Sequence, residues 1–137
     1  MSVLPTEQQV ADLIASADDG PVVMLNLLRF KERADGIDEG ISGAEAYARY
    51  SAATEPFLRG VGGRLRAALQ AQGTVIGPEG GEWDLILLVE YPSRAKFMEM
   101  ASDPEYLKIH AHREAALADS RLIACSDLTE AALGGLR

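Results

Sequence analysis

Two segments of the chain are apolar almost without interruption, and the rest is arranged around them. Residues 21 to 30, PVVMLNLLRF, and 83 to 92, WDLILLVEYP, are bounded by turn residues and have the length of strands covered on both faces. Elsewhere the apolar positions recur at helical spacing. Thr6 and Gln9 form a capping-box pair ahead of Val10, Leu13, Ile14 and Ala17, which predicts a short helix ending at Asp18-Asp19-Gly20-Pro21. Ser42 and Glu45 repeat that signature, and Tyr47, Tyr50, Thr54, Phe57 and Leu58 share one face of a helix from Gly43 to about Leu58. Pro56 lacks an N–H and crowds the preceding turn, so a kink or an early end is expected there. Gly60, Gly62 and Gly63 stop the helix. Residues 31 to 41 are polar, hold Gly36 and Gly40, and read as a loop. Residues 64 to 76 predict a strand with a break near Gly73, followed by the turn GPEGGE. Ser93 caps a short helix through Met100, Asp103-Pro104 opens another, and a last strand is expected near 120 to 127.

After the leading helix the order is strand, helix, strand, strand, helix, strand. This is the split βαβ arrangement (β-α-β-β-α-β): an α+β, ferredoxin-like fold with a four-stranded antiparallel sheet and its helices on one face. Residues 1 to 137 are expected to form a single domain, with 1 to 20 as an N-terminal helical extension. Alternation divides the first strand into Val22, Met24, Asn26, Leu28 and Phe30 on one face and Val23, Leu25, Leu27 and Arg29 on the other. The second set reads as the better core face. Because both faces of the two apolar strands need cover and the helices supply only one, a second copy of the sheet is expected to supply the other. That predicts a homodimer with a dimeric α+β barrel between the subunits.

Composition narrows the partners. With 47% hydrophobic and 25% charged residues the chain is ordinary for a globular, soluble protein. A net charge of −8 and the lack of any basic run count against nucleic acid and anionic membranes. One cysteine, Cys125, cannot form an intrachain disulfide and is expected to be a small buried hydrophobe; with two histidines it is too little for a structural zinc site. No leader-like N-terminus and no membrane-spanning stretch are evident, so a cytoplasmic location is expected.

The candidate chemistry is concentrated near the C-terminus. Tyr106, His110 and Arg113 fall at i, i+4 and i+7, on one helical stripe with Ile109, Ala116 and Leu117. Polar groups on such a stripe must find partners or do chemical work. His110 titrates near neutrality and suits a general base, or it is a histidine satisfied by a backbone carbonyl. Arg113 can hold a carboxylate or enolate oxygen through its planar fork, or pair with Glu90 across helix and sheet. Asn26 interrupts an apolar strand and either bonds internally or orients a substrate carbonyl. Tyr47 and Tyr50 are expected to pack their helix on the sheet, and Trp83 to pack in the core or lid a pocket. Asp84 and Glu90 lie about 20 Å apart along one strand, too far for a paired acid and base. His110 and His112 diverge on the helix, which disfavours a metal held by both. Dinucleotide, phosphate-loop, zinc-protease and serine-hydrolase motifs are absent from the sequence.

Tyr50, Gly62-Gly63-Arg64, the run Leu87-Leu88-Val89-Glu90-Tyr91-Pro92-Ser93, Asp103-Pro104-Glu105-Tyr106 and Arg113 together resemble the domain-of-unknown-function family DUF1330. The resemblance runs from about Pro21 to Asp127. It implies a ferredoxin-like fold and a homodimer within the dimeric α+β barrel superfamily, whose branches include cofactor-free monooxygenases, muconolactone isomerases and haem-dependent enzymes. Two arginine positions of the family pattern are Gln72-Gly73 and Asp84 here, so an anion-binding role does not carry over to them. Two functions follow as expectations. In the first, a small cavity lined by Asn26, Tyr50, Glu90, Tyr106, His110 and Arg113 binds a carbonyl or aromatic compound. His110 or Glu90 moves a proton and Arg113 or Asn26 steadies an oxyanion, in isomerase-like or cofactor-free monooxygenase-like chemistry without cofactor or metal. In the second, the same residues form a buried, non-catalytic network supporting the dimer.

Overall fold

The computed structural model describes residues 3–131. Helix α1 (Glu7–Ala15) leads into strand β1 (Val22–Phe30) and a 3₁₀ turn (Gly36–Asp38). Then come α2 (Gly43–Gly60), β2 (Arg64–Gln70), β3 (Leu85–Tyr91), α3 (Arg94–Ala101), α4 (Pro104–Ala116) and β4 (Leu117–Cys125). The helix starts follow the sequence signals. Thr6 and Gln9 form a complete capping box, and the side chains of Ser42, Ser93 and Asp103 each accept a bond from the first turn of their helix. Pro56 lies inside α2 without ending it; the helix runs on to Gly60.

The sheet is antiparallel with order β2-β3-β1-β4, the ferredoxin-like order, so the two apolar segments are its central strands. The expected barrel is not formed. β2 and β4 are the outer strands, each hydrogen-bonded to one neighbour, and the sheet remains open. Closure into a barrel needs more strand width than four strands provide; a barrel filled by side chains takes about eight.

The core also lies on the other side of β1 from the one expected. Val22, Met24 and Leu28 are buried against Ala46, Tyr47, Tyr50, Tyr106 and Ala116 of the helices, whereas Leu25 and Leu27 are half-buried on the open face. Residue counting could not decide this, because both faces of β1 are apolar and only the attachment of the helices distinguishes them.

Other boundaries shift for local reasons. β2 stops at Gln70, short of Gly73, and β4 begins at Leu117, which therefore leaves the helical stripe to which periodicity had assigned it. Trp83 lies before β3, half-buried, with the Arg121 guanidinium 5.2 Å from its ring centre, so it neither enters the core cluster nor begins the strand. Cys125 is half-buried.

At the junction of β1, α2 and β4 the backbones approach closely. Lys31 N–H donates to the Ala116 carbonyl at 2.8 Å and Gly43 N–H to the Lys31 carbonyl at 3.1 Å. A Cβ on Gly43 would stand 2.1 Å from the Lys31 oxygen, so only glycine allows α2 to start there. This seating fixes which face of α2 meets α4.

Candidate functional site

Three phenols, an imidazole and a guanidinium meet where α2 lies against α4. From α2 come Tyr47 and Tyr50, and from α4 come Tyr106, His110 and Arg113, the three spaced as the sequence stripe required. The Tyr50 and Tyr106 hydroxyls are 2.6 Å apart, one donating to the other, with the rings edge-on at 6.3 Å. His110 stands edge-on to both rings, at 6.4 Å from Tyr50 and 5.9 Å from Tyr106. Its Nδ1 is 3.3 Å from Glu114 Oε1, one turn further along α4.

Burial sets the protonation states. It holds the His110 pKa below the ordinary histidine value, helped by the Arg113 charge and opposed by Glu114. His110 is therefore neutral at neutral pH. Burial also pushes the Tyr47 and Tyr106 phenols well above the ordinary range; Tyr50 adds to this and Arg113 opposes it. These hydroxyls act as hydrogen-bonding groups and not as anions.

Arg113 is the exceptional member. It is only 8% exposed, and its Nη1 donates to the backbone carbonyl of Val3 at 2.9 Å. Among the described residues no carboxylate forms an ion pair with it. The expected pairing with Glu90 is not made, because Glu90 points to the opposite face of the sheet. There it is bridged to Arg64 at 2.8 Å and Arg66 at 3.6 Å. Asn26 lies on the helix-facing side of the sheet, half-buried, and its Nδ2 donates to the Met24 carbonyl at 3.2 Å. The structure thus brings Tyr50, Tyr106, His110 and Arg113 together and leaves Glu90 apart. No hydrogen bond among the described residues joins Asn26 to the four. Two open surface hollows lie elsewhere, one of about 620 Å³ beside Arg33 and Gly36, the other of about 540 Å³ beside Phe30, Ser42 and Asp84.

A second polar cluster was not legible in the sequence. Asp38 ends the 3₁₀ turn in the polar loop, yet its side chain is fully buried. Its Oδ1 accepts from Arg49 Nη1 at 3.1 Å, and its Oδ2 lies 2.6 Å from His112 Nδ1. The three residues tie the loop to α2 and α4. No local pattern announces them, since Asp38 and His112 are separated by 74 positions.

Strand order and helix placement together define a ferredoxin-like fold. Within it, the chain belongs to the family described as Domain of unknown function (DUF1330), whose profile matches residues 38–126. It is similar to a protein of unknown function from Rhodopseudomonas palustris, with 41% identity over 93% of this chain and 97% of that one, at a TM-score of 0.87. More distant structures share the fold alone. One is a dimeric protein of unknown function with a ferredoxin-like fold from Bacteroides fragilis, 14% identical over 79% of this chain and 97% of that one, TM-score 0.52. Another is a dabb family protein with a ferredoxin-like fold from Mesorhizobium loti, 12% identical over 80% and 98%, TM-score 0.53. No curated protein matches the chain. Among the described residues no helix is long and apolar enough to cross a membrane.

Proposed function

We propose that Tyr50, Tyr106, His110 and Arg113 form a small-molecule site that moves a proton on a carbonyl compound, an isomerase-like reaction needing no cofactor. The observation that carries this reading is the buried Arg113 cation with no carboxylate partner among the described residues, beside an imidazole that burial keeps neutral. A buried cation is costly unless an anion compensates it, and an enolate oxygen formed during reaction is such an anion. Glu114 favours the tautomer with the proton on His110 Nδ1, leaving the Nε2 lone pair as the base. His110 removes a proton from the carbon next to the carbonyl, the electron pair moves to oxygen, Arg113 holds the enolate, and the imidazolium returns the proton to carbon. Asn26 is the remaining polar side chain proposed to orient the carbonyl; Glu90, on the far face, is left out.

The test is deuterium uptake from heavy water at C3 of phenylpyruvate, followed by NMR. The wild type is expected to accelerate uptake, and His110→Gln and Arg113→Met each to reduce that acceleration by about 100-fold, as for loss of a general base or an oxyanion donor. Wild-type uptake at the buffer rate sinks the reaction.

One observation favours the non-catalytic reading of the same residues: the two phenols satisfy each other and Arg113 is bonded to Val3. Under that reading the variants lose stability without any change in ligand response. In either case the open sheet face, with Leu25, Leu27, Ile86 and Leu88 half-buried in one copy, supports self-association as a homodimer. Leu88→Asp is expected to yield a monomer in sedimentation; an unchanged sedimentation coefficient argues against this face.

A further inference from the structure

The contact that satisfies Arg113 comes from the other end of the chain, 110 residues away. A backbone carbonyl offers a partial charge to a full one; a carboxylate would offer a full charge and two oxygens to the guanidinium fork. The segment carrying that carbonyl is also lightly held. Val3 and Leu13 rest half-buried on the core, but no residue of α1 is buried, and Leu4 and Ile14 are 60% and 64% exposed. At its far end Arg94 Nη1 lies 3.4 Å from both the Asp18 carboxylate and its carbonyl. α1 carries its own complete capping box, so it can leave the core without losing its helix start. Gly20-Pro21 follows as the joint to β1. Such sparsely anchored segments open at low free energy.

We infer that the Val3 carbonyl occupies the place of a ligand carboxylate on Arg113, and that residues 3 to 19 form a lid which that carboxylate displaces. The ligand class is a small carboxylate carrying an apolar or aromatic group, since Tyr106 and His110 share the α4 stripe with Arg113 and the Tyr50 ring packs edge-on against both. The ligand assignment deepens the site proposed above and rests on it: in a 2-oxo acid one carboxylate oxygen and the neighbouring enolate oxygen share the guanidinium fork, while the lid does not depend on the reaction. Competition lowers the apparent affinity of the closed form by the fraction of time the lid is open, so a loosened lid binds more tightly.

The test uses the full chain, benzoate as the carboxylate probe and phenylglyoxal as a reagent for free arginine, with Arg113 modification read by peptide mass mapping. Leu13→Asp releases α1 from the core while leaving the cluster's own residues unchanged, and Arg94→Ala loosens the other anchor should the first variant fold poorly. Either variant is expected to raise the Arg113 modification rate by about five-fold or more, while benzoate slows that modification and speeds amide exchange over residues 3 to 16. An Arg113 rate that is the same in wild type and both variants overturns the lid. Faster modification that benzoate neither slows nor couples to amide exchange of the lid overturns the carboxylate assignment. If benzoate does both while phenylpyruvate takes up no deuterium beyond the buffer rate, the proposed reaction falls and the lid with its carboxylate stands.

Discussion

His110 and His112 are two residues apart on one helix and live in opposite electrostatic regimes. His112 faces a buried carboxylate that also holds Arg49, so the charge that folding buries there is compensated by fixed protein groups. His110 faces two phenols and a cation whose hydrogen bond goes to a backbone carbonyl, and the carboxylate beside it, Glu114 at 3.3 Å, is half exposed. The first region is complete as it stands: its partners come from the loop, α2 and α4, and their bonds tie those elements together. In the second, Arg113 keeps its charge in a buried place where an anion from outside would improve the balance. The lesson is that a buried polar cluster signals function less by its polarity than by what it leaves uncompensated.

The largest effect should come from breaking the complete region. Asp38→Asn keeps the size but removes the charge facing Arg49 and His112, and is expected to cost about 2–3 kcal/mol in urea unfolding, since the Asp38 side chain is fully buried although Arg49 is 58% exposed. A loss below about 1 kcal/mol would show that the two regions do not differ in the way described. Next is the phenol pair. Tyr50→Phe strands the buried Tyr106 hydroxyl at a cost of about 1–2 kcal/mol, while Tyr50→Phe with Tyr106→Phe costs less than the sum of the two single changes. Strict additivity would mean that the 2.6 Å contact carries no coupling.

The smallest effect is one of pH. Because the folded-state pKa of His110 is lowered, the unfolded chain binds that proton more tightly. Above the ordinary value of 6.5 His110 contributes no pH dependence, and as the pH falls below it toward the lower folded-state value, stability declines. Urea midpoints at about pH 7.5 and 5.5 should therefore fall further on acidification in the wild type than in His110→Gln. Equal falls would separate His110 from the buried, Arg113-facing environment assigned to it.

Much of this was legible in the chain. Helix starts could be read because capping is local: Thr6 with Gln9, Ser42, Ser93 and Asp103 act on backbone N–H groups two or three residues away. The stripe of Tyr106, His110 and Arg113 could be read because helical geometry alone puts those side chains on one face. Tyr50 was named as a candidate, though not its hydroxyl bond to Tyr106, which spans 56 positions. Glu90 as a mate for Arg113 failed because alternation assigns residues to the two faces of a strand without saying which face the helices cover. The barrel failed for a related reason: an apolar second face shows that cover is wanted, and says nothing about whether the sheet's own edges close.

The sequence by itself determined the order of elements, their caps, the two central strands and the family, since each rests on periodicities and signals a few residues long. Only the tertiary structure decided which face of β1 became core, that Asp38 would be the buried carboxylate and His112 its partner, and that the N-terminal segment would lie over Arg113. Those outcomes depend on contacts between residues far apart in the chain, whose selection follows from how helices seat on the sheet as a whole.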